Sequence, residues 1–255
     1  MNDQMIKHDW YARIEHILCE AMSAAIAING SAGDEAIKAL VVHIQNNWTA
    51  LRFIHEGAQA SGREIAVANP AVALIRCMYD ALLQALYIAH DSERRDALGE
   101  DYLDYAYIRE YKDMQLIING SDSLSKRLAN SPLRIAREPE IRANYAKHKS
   151  RYLAGEKGVR DKWYEARNLW EIASLVGKSS EYGWYCTLSN GSIHADSRVV
   201  QHGPRLYFSG ELYPIAANVA CQAIKLLTKE LDIQLSKENA DLLNLLAKDF
   251  CNFYE

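Results

Sequence analysis

Two stretches of the 255-residue chain carry side chains suited to proton transfer and to holding an anion. The first, residues 182–196, combines aromatics and two glycines with Ser189, Asn190, His194 and Asp196. At helical spacing Gly183, Thr187, Asn190, Gly191 and His194 share one polar, small-residue face. A helix made only for packing shows a wide apolar stripe instead. Histidine exchanges protons near neutral pH, so His194 is the natural proton carrier of the group. The second stretch holds Arg76, Asp80 and Gln84, one every four residues, on an otherwise apolar helix. Arginine grips a phosphate with two parallel hydrogen bonds and steadies charge as it develops. Glycines at 183 and 191 let a substrate or a neighbouring helix come close.

The segments that must position these residues read as helices throughout. Asp3 caps a helix to about residue 28, with Trp10, Ile14, Ile17, Leu18, Ala21 and Ala25 on its apolar face. A second runs from about 33 or 34 to 56. Asn69 and Pro70 start a third over 71–90, the most apolar in the chain and the expected central helix. The next, 93–118, carries Tyr102, Tyr105, Tyr107 and Tyr111, placed to line a helix–helix seam. Ser131-Pro132 and Glu138-Pro139 break the following stretch into short helices, then one over 140–153, and 154–159 reads as an exposed loop. Ser179 or Ser180 caps the helix of the first stretch. Residues 199–208 suggest a short hairpin or irregular flap, Tyr213-Pro214 starts a helix to about 235, and Ser236 caps the last, 237–253. The expected fold is all-α: a single domain, 1–255, of about eight helices.

Composition agrees with a globular chain. No uninterrupted apolar run approaches the roughly 18 residues of a membrane span, the best being 81–89 with Gln84 inside it. The N-terminus lacks a signal-peptide pattern, so a cytoplasmic location without membrane attachment is expected. Five widely spaced cysteines without a Cys-x-x-Cys pair read as buried thiols. Charge is uneven. Between Lys126 and Arg167 twelve Lys or Arg face five Asp or Glu, an excess of seven, while the whole chain is at −4. This basic helical subregion, about 122–167, suggests RNA or another anionic partner, and equally a solvated pair of charged helices. The aromatics from Trp163 to Tyr185 beside it suit base stacking or a packed core.

Phosphate loops, dinucleotide fingerprints, zinc-protease helices and nucleophile elbows are absent from the sequence. His194, Asp196 and His202 are too scattered to point to a metal. Neither a cofactor nor a metal is expected.

The Asn190 to His194 spacing resembles the bacterial HEPN superfamily of small helical proteins, with Ser189 where that family carries arginine. The paired patterns Arg76-x-x-x-Asp80 and Ser189-x-x-x-x-His194 more closely resemble an uncharacterised helical family related to it, over residues 70–197. The resemblance implies a metal-independent ribonuclease of a toxin–antitoxin or phage-defence system, working as a homodimer. In it His194 is the acid or base for attack by a ribose 2′-hydroxyl. Arg76 steadies the phosphorane, Asp80 orients Arg76 or His194, and Asn190, beside Ser189, positions the phosphate. The residues themselves leave two alternatives open: a non-catalytic regulatory protein in which the same five side chains form a buried polar network, and a small-ligand pocket, such as one for a nucleotide.

Overall fold

A computed structural model describes residues 3–61, 68–154, 158–166, 168–193 and 209–251. These form ten α-helices and no strand, so the all-α expectation holds. In chain order they are α1 (Asp3–Ile26), α2 (Ala32–Ser61), α3 (Ala68–Ala89), α4 (Arg95–Asn119), α5 (Ser123–Ala129), α6 (Pro132–His148), α7 (Leu169–Leu175), α8 (Ser179–Ile193), α9 (Ser209–Glu230) and α10 (Lys237–Cys251). A 3-10 turn, Lys149–Tyr152, follows α6. The chain divides into two compact units, one of Met1–Asp96 with Ala166–Glu255, the other of Ala97–Glu165. The proposed flap at 199–208 lies outside the described residues.

In the first unit α3 is the hub, packing against α2, α7, α8 and α9. Its apolar composition follows, because Ala71, Val72, Ile75, Met78, Tyr79, Leu82, Leu83 and Ala85 are buried on more than one side. Counted through Arg76 and Asp80, Pro70–Ala89 is long and apolar enough to cross a membrane, contrary to the sequence expectation. Here 61% of that window is buried inside the protein, as a core helix requires. α1 and α2 bury the expected stripes, Ile14, Ile17, Leu18 and Ala21 on one and Ile37, Leu40, Val41, Ile44 and Trp48 on the other. Glu20 of α1 accepts from the Ser236 backbone N–H at 2.6 Å and from the Asn239 side chain, tying α1 to the first turn of α10. Those bonds, Asn239 foremost, hold its carboxyl below the usual range.

Two prolines behave unexpectedly. Pro139 lies inside α6, which runs unbroken from Pro132. A proline four residues after Ile135 leaves that residue's carbonyl without its helical donor. Ile135 is exposed, so water can take the donor's place. Pro132 itself sits in the first turn, where its missing N–H costs nothing. Pro214 also lies inside a helix, α9, which begins five residues earlier at Ser209.

The second unit is held by rings. Tyr111 of α4 stacks on Tyr145 of α6 at 3.8 Å, and Tyr107 stacks on His148 at 5.0 Å, so these tyrosines do line a helix–helix seam. The Tyr105 hydroxyl donates to the Arg160 carbonyl at 2.9 Å, and that of Tyr152 to the Asp101 carbonyl at 2.8 Å. Residues 152–154 pair antiparallel with 158–160, with Arg160 N–H on Tyr152 O at 2.8 Å and Gly158 at φ +79°. The basic segment meets acids here. Arg137 pairs with Glu110, Lys112 with Asp161 at 2.9 Å, and both Arg134 and Arg142 with Glu138 at 2.7 and 2.6 Å. Arg151 reaches Asp101 at 2.5 Å, Glu100 at 3.1 Å and Asp104 at 3.4 Å. Of the basic segment's own residues, Arg137 and Arg151 are thus matched by acids of α4 that precede the segment.

Candidate functional site

The polar stripe of α3 faces α8. Arg76 Nε lies 2.8 Å from Asp80 Oδ1, one turn along its own helix. Its two terminal nitrogens cross to α8, donating to Cys186 Sγ at 2.8 Å and to the Tyr182 hydroxyl at 3.1 Å. The guanidinium also sits 5.0 Å from the centre of the Tyr182 ring, within cation–π range. Gln84 turns back on its own helix, donating from Nε2 to the Asp80 carbonyl at 3.1 Å. Helical spacing explains both sides of the contact. Residues 76, 80 and 84 form one row of α3, and 182 and 186 form the matching row of α8.

Burial sets the electrostatics. The Arg76 side chain keeps 13% of its surface and that of Asp80 28%. Burial opposes the Arg76 charge, but the hydrogen bond and charge of Asp80 outweigh it, and the guanidinium stays protonated with its pKa above the ordinary value. Asp80 goes the other way. Burial pushes its carboxyl above the usual range and Arg76 only partly offsets this. Burial, then the bond to Cys186, likewise raises the Tyr182 hydroxyl.

Local sequence sets α8 against this stripe. Asn168 caps α7 by accepting from Glu171 N–H at 3.0 Å. Gly177, at φ +72°, then reverses the chain, with Lys178 N–H bonded to Ala173 O at 2.6 Å. That left-handed position is where glycine ends a helix without strain. Trp170 of α7 meets the Tyr182 ring edge-on at 5.8 Å. Gly183 is not needed for close approach, since a Cβ there would touch the Trp170 ring at an ordinary 3.5 Å.

Further residues join the site that the sequence did not single out. Tyr185 stacks face to face on Tyr79 of α3 at 3.7 Å and donates to the Ile215 carbonyl of α9 at 3.4 Å. The Tyr79 side chain is fully buried and its hydroxyl has no hydrogen-bond partner among the described residues. On α9, buried Asn218 accepts from Gln222, which also reaches Glu181 at 3.5 Å, and Lys178 pairs with Glu181 at 2.5 Å. One sequence signal existed: Asn218 and Gln222 lie four apart on a helix rich in Ala, Val, Ile and Leu, the same spacing as Arg76 and Asp80.

Of the five candidate residues, Arg76 and Asp80 are brought together. Ser189 and Asn190 lie in α8, one turn beyond Cys186, with only their backbone described. His194 lies outside the described residues, as do Asp196 and His202. The described residues contain no group of three His, Cys, Asp or Glu able to hold a metal ion.

No curated protein and no solved structure matches the chain. A family model does match, over residues 63–203, more than half of the sequence and including both α3 and α8. The chain belongs to that family, DUF5677, a family of unknown function.

Proposed function

We propose that the chain is a HEPN-like, metal-independent endoribonuclease of a bacterial phage-defence or toxin–antitoxin system. The observation that carries this is the crossing of Arg76 from the core helix onto α8, at 2.8 Å from Cys186. Asn190 follows Cys186 by one helical turn and His194 stands eight positions after Cys186 in the sequence, so in this reading an arginine from another helix stands in for the one that Ser189 replaces in the HEPN pattern. In this reading His194 takes the proton of a ribose 2′-hydroxyl as that oxygen attacks the adjacent phosphorus. The phosphorus–O5′ bond breaks, the leaving oxygen is protonated, and a 2′,3′-cyclic phosphate and a 5′-hydroxyl result. Arg76 steadies the equatorial charge, Asp80 holds Arg76 in line, and Asn190 and Ser189 position the phosphate.

A second reading is favoured by the same arginine's surroundings. Its guanidinium already has a carboxylate, a hydroxyl, a thiol and a ring face around it. Such an arrangement suits a regulatory helical protein in which this polar network fixes the register of α3 and α8. One experiment separates the two. Purified wild type and His194→Ala are incubated with single-stranded RNA in chelator, and their melting temperatures are compared. The ribonuclease reading expects cleavage ending in cyclic phosphates, abolished in the folded variant. Equal cleavage by both proteins would remove His194 from the mechanism. No cleavage by wild type leaves the network reading.

A further inference from the structure

Cys186 has neighbours that packing alone does not call for. Its sulfur accepts a hydrogen bond from Arg76 at 2.8 Å, and the Tyr182 hydroxyl, itself 3.1 Å from the same guanidinium, is bonded to Cys186 as well. A thiol is a weak acceptor, so a fixed cation and a phenol gain little from it. A thiolate offers them far more, and the thiolate is the form in which cysteine reacts. Other cysteines are placed differently. Cys19 is exposed and accepts from the neutral amide of Gln45 at 3.4 Å, Cys77 is exposed on α3, and Cys221 is buried in α9. Cys186 is half-buried, which leaves it within reach of a molecule little larger than water.

A second observation lies across the contact on α3. The Tyr79 side chain is 0% exposed, and its hydroxyl has no hydrogen-bond partner among the described residues. Its ring stacks at 3.7 Å on Tyr185, the residue before Cys186, and besides burial the charges of Glu181, Arg76, Asp80 and Cys186 act on that hydroxyl. A buried phenol with nothing to donate to is destabilising, and an added oxygen acceptor would relieve it. We infer that Cys186 is a modification site, oxidised by hydrogen peroxide to a sulfenic acid whose oxygen is held by Arg76 and Tyr79. The sulfur, having lost its proton to water, attacks one peroxide oxygen. The S–O bond forms as the O–O bond breaks, and the departing hydroxide takes up a proton and leaves as water. Sulfur is oxidised by one electron pair and the peroxide is reduced by it. Arg76 offsets the negative charge as it passes from sulfur to the leaving oxygen. Cys186 takes no part in the RNA-cleavage mechanism, so this site stands or falls apart from that proposal.

The test uses the full chain, reduced and then exposed to hydrogen peroxide near neutral pH with dimedone present to trap sulfenic acid. Peptide mass spectrometry reads the order of labelling. Cys186 is expected to label before Cys19 and Cys77, although both are more exposed. Arg76→Gln removes the cation with little change of shape and should slow labelling of Cys186 about tenfold or more, with Cys19 as the internal reference. Melting temperature checks that this variant folds. Should it fail to fold, wild type in urea replaces it, and there Cys186 must lose its lead. Tyr79→Phe keeps the packing and should shorten the life of the sulfenic acid, read without the trap as faster conversion to sulfinic acid. Cys19 or Cys77 labelling first overturns the inference. So does a folded Arg76→Gln labelled at the wild-type rate, a lead kept in urea, or a sulfenic acid equally long-lived in Tyr79→Phe.

Discussion

Arg76 and Arg151 are both ringed by acceptors, in surroundings that differ in almost every other respect. Among the described residues Arg76 meets one carboxylate, Asp80, together with a hydroxyl, a sulfur and a ring face on α8. Arg151 has three carboxylates, Glu100, Asp101 and Asp104, and a side chain still 35% exposed. His148 adds to that set by meeting Asp104 at 2.9 Å. Where water screens charge, several opposite charges gather and each contributes little. Where apolar helices exclude water, one ion pair is retained and neutral dipoles complete it, because each further buried charge would have to be desolvated. A buried pair is seldom retained for stability alone, which is why the Arg76 cluster is the better functional candidate of the two.

The largest effect expected on this contrast is from Arg76→Ala. It leaves Asp80 in its half-buried position with no cation and should lower unfolding free energy by about 3 kcal/mol, measured by urea denaturation. Asp80→Asn should cost less, about 1 kcal/mol at neutral pH, because burial already opposes the carboxylate's charge. Equal losses from the two variants would mean that the pair acts as a symmetric salt bridge and would break the contrast. In the other unit Arg151→Ala should cost about 1 kcal/mol or less, read from the same titration.

Acid should separate the regions further. The Asp80 carboxyl is raised in the folded protein, so that state binds a proton more readily than the unfolded one. Its contribution to stability therefore rises as pH falls through the folded value towards the ordinary value of 3.8. Glu138 and Asp161 are lowered, Glu138 by its bonds to Arg142 and Arg134 and Asp161 by Lys112. What they contribute is present above their ordinary values of 4.5 and 3.8 and is lost as pH falls through the folded ones. Urea midpoints taken down to pH 4 should thus fall more steeply in Asp80→Asn than in wild type. Parallel curves would show that Asp80 is not the raised group.

A smaller effect is expected at Tyr79. Removing its unpartnered hydroxyl with Tyr79→Phe should leave stability unchanged or raise it by up to about 1 kcal/mol, since no described bond is lost. A loss would reveal a buried partner for that hydroxyl. The smallest is Asp161→Ala, whose side chain is 95% exposed, and no measurable change in midpoint is expected.

The helices themselves were legible because their signals are local. The row Arg76, Asp80 and Gln84 repeats every four residues, and the stripes of α1 and α2 follow helical spacing. The two misread prolines show the limit. Propensity disfavours a proline inside a helix, but packing of the remaining turns overrides one missing hydrogen bond, as in α6 and α9. Charge shows a related limit: the ion pairs of Arg137 and Arg151 with Glu110, Glu100, Asp101 and Asp104 join residues far apart in the sequence, which a local charge count does not record.

By itself the sequence determined an all-helical chain, a polar row on its most apolar helix, and a second polar helix around residues 182–193. Only the tertiary structure decided which faces of the two meet. It placed Tyr182 and Cys186, 106 and 110 residues away, on Arg76. It also brought Gln222 of α9 to Glu181 of α8. Periodicity reports which residues share a face of one helix, whereas the choice of partner face depends on how several helices fill space together, and no local pattern records that.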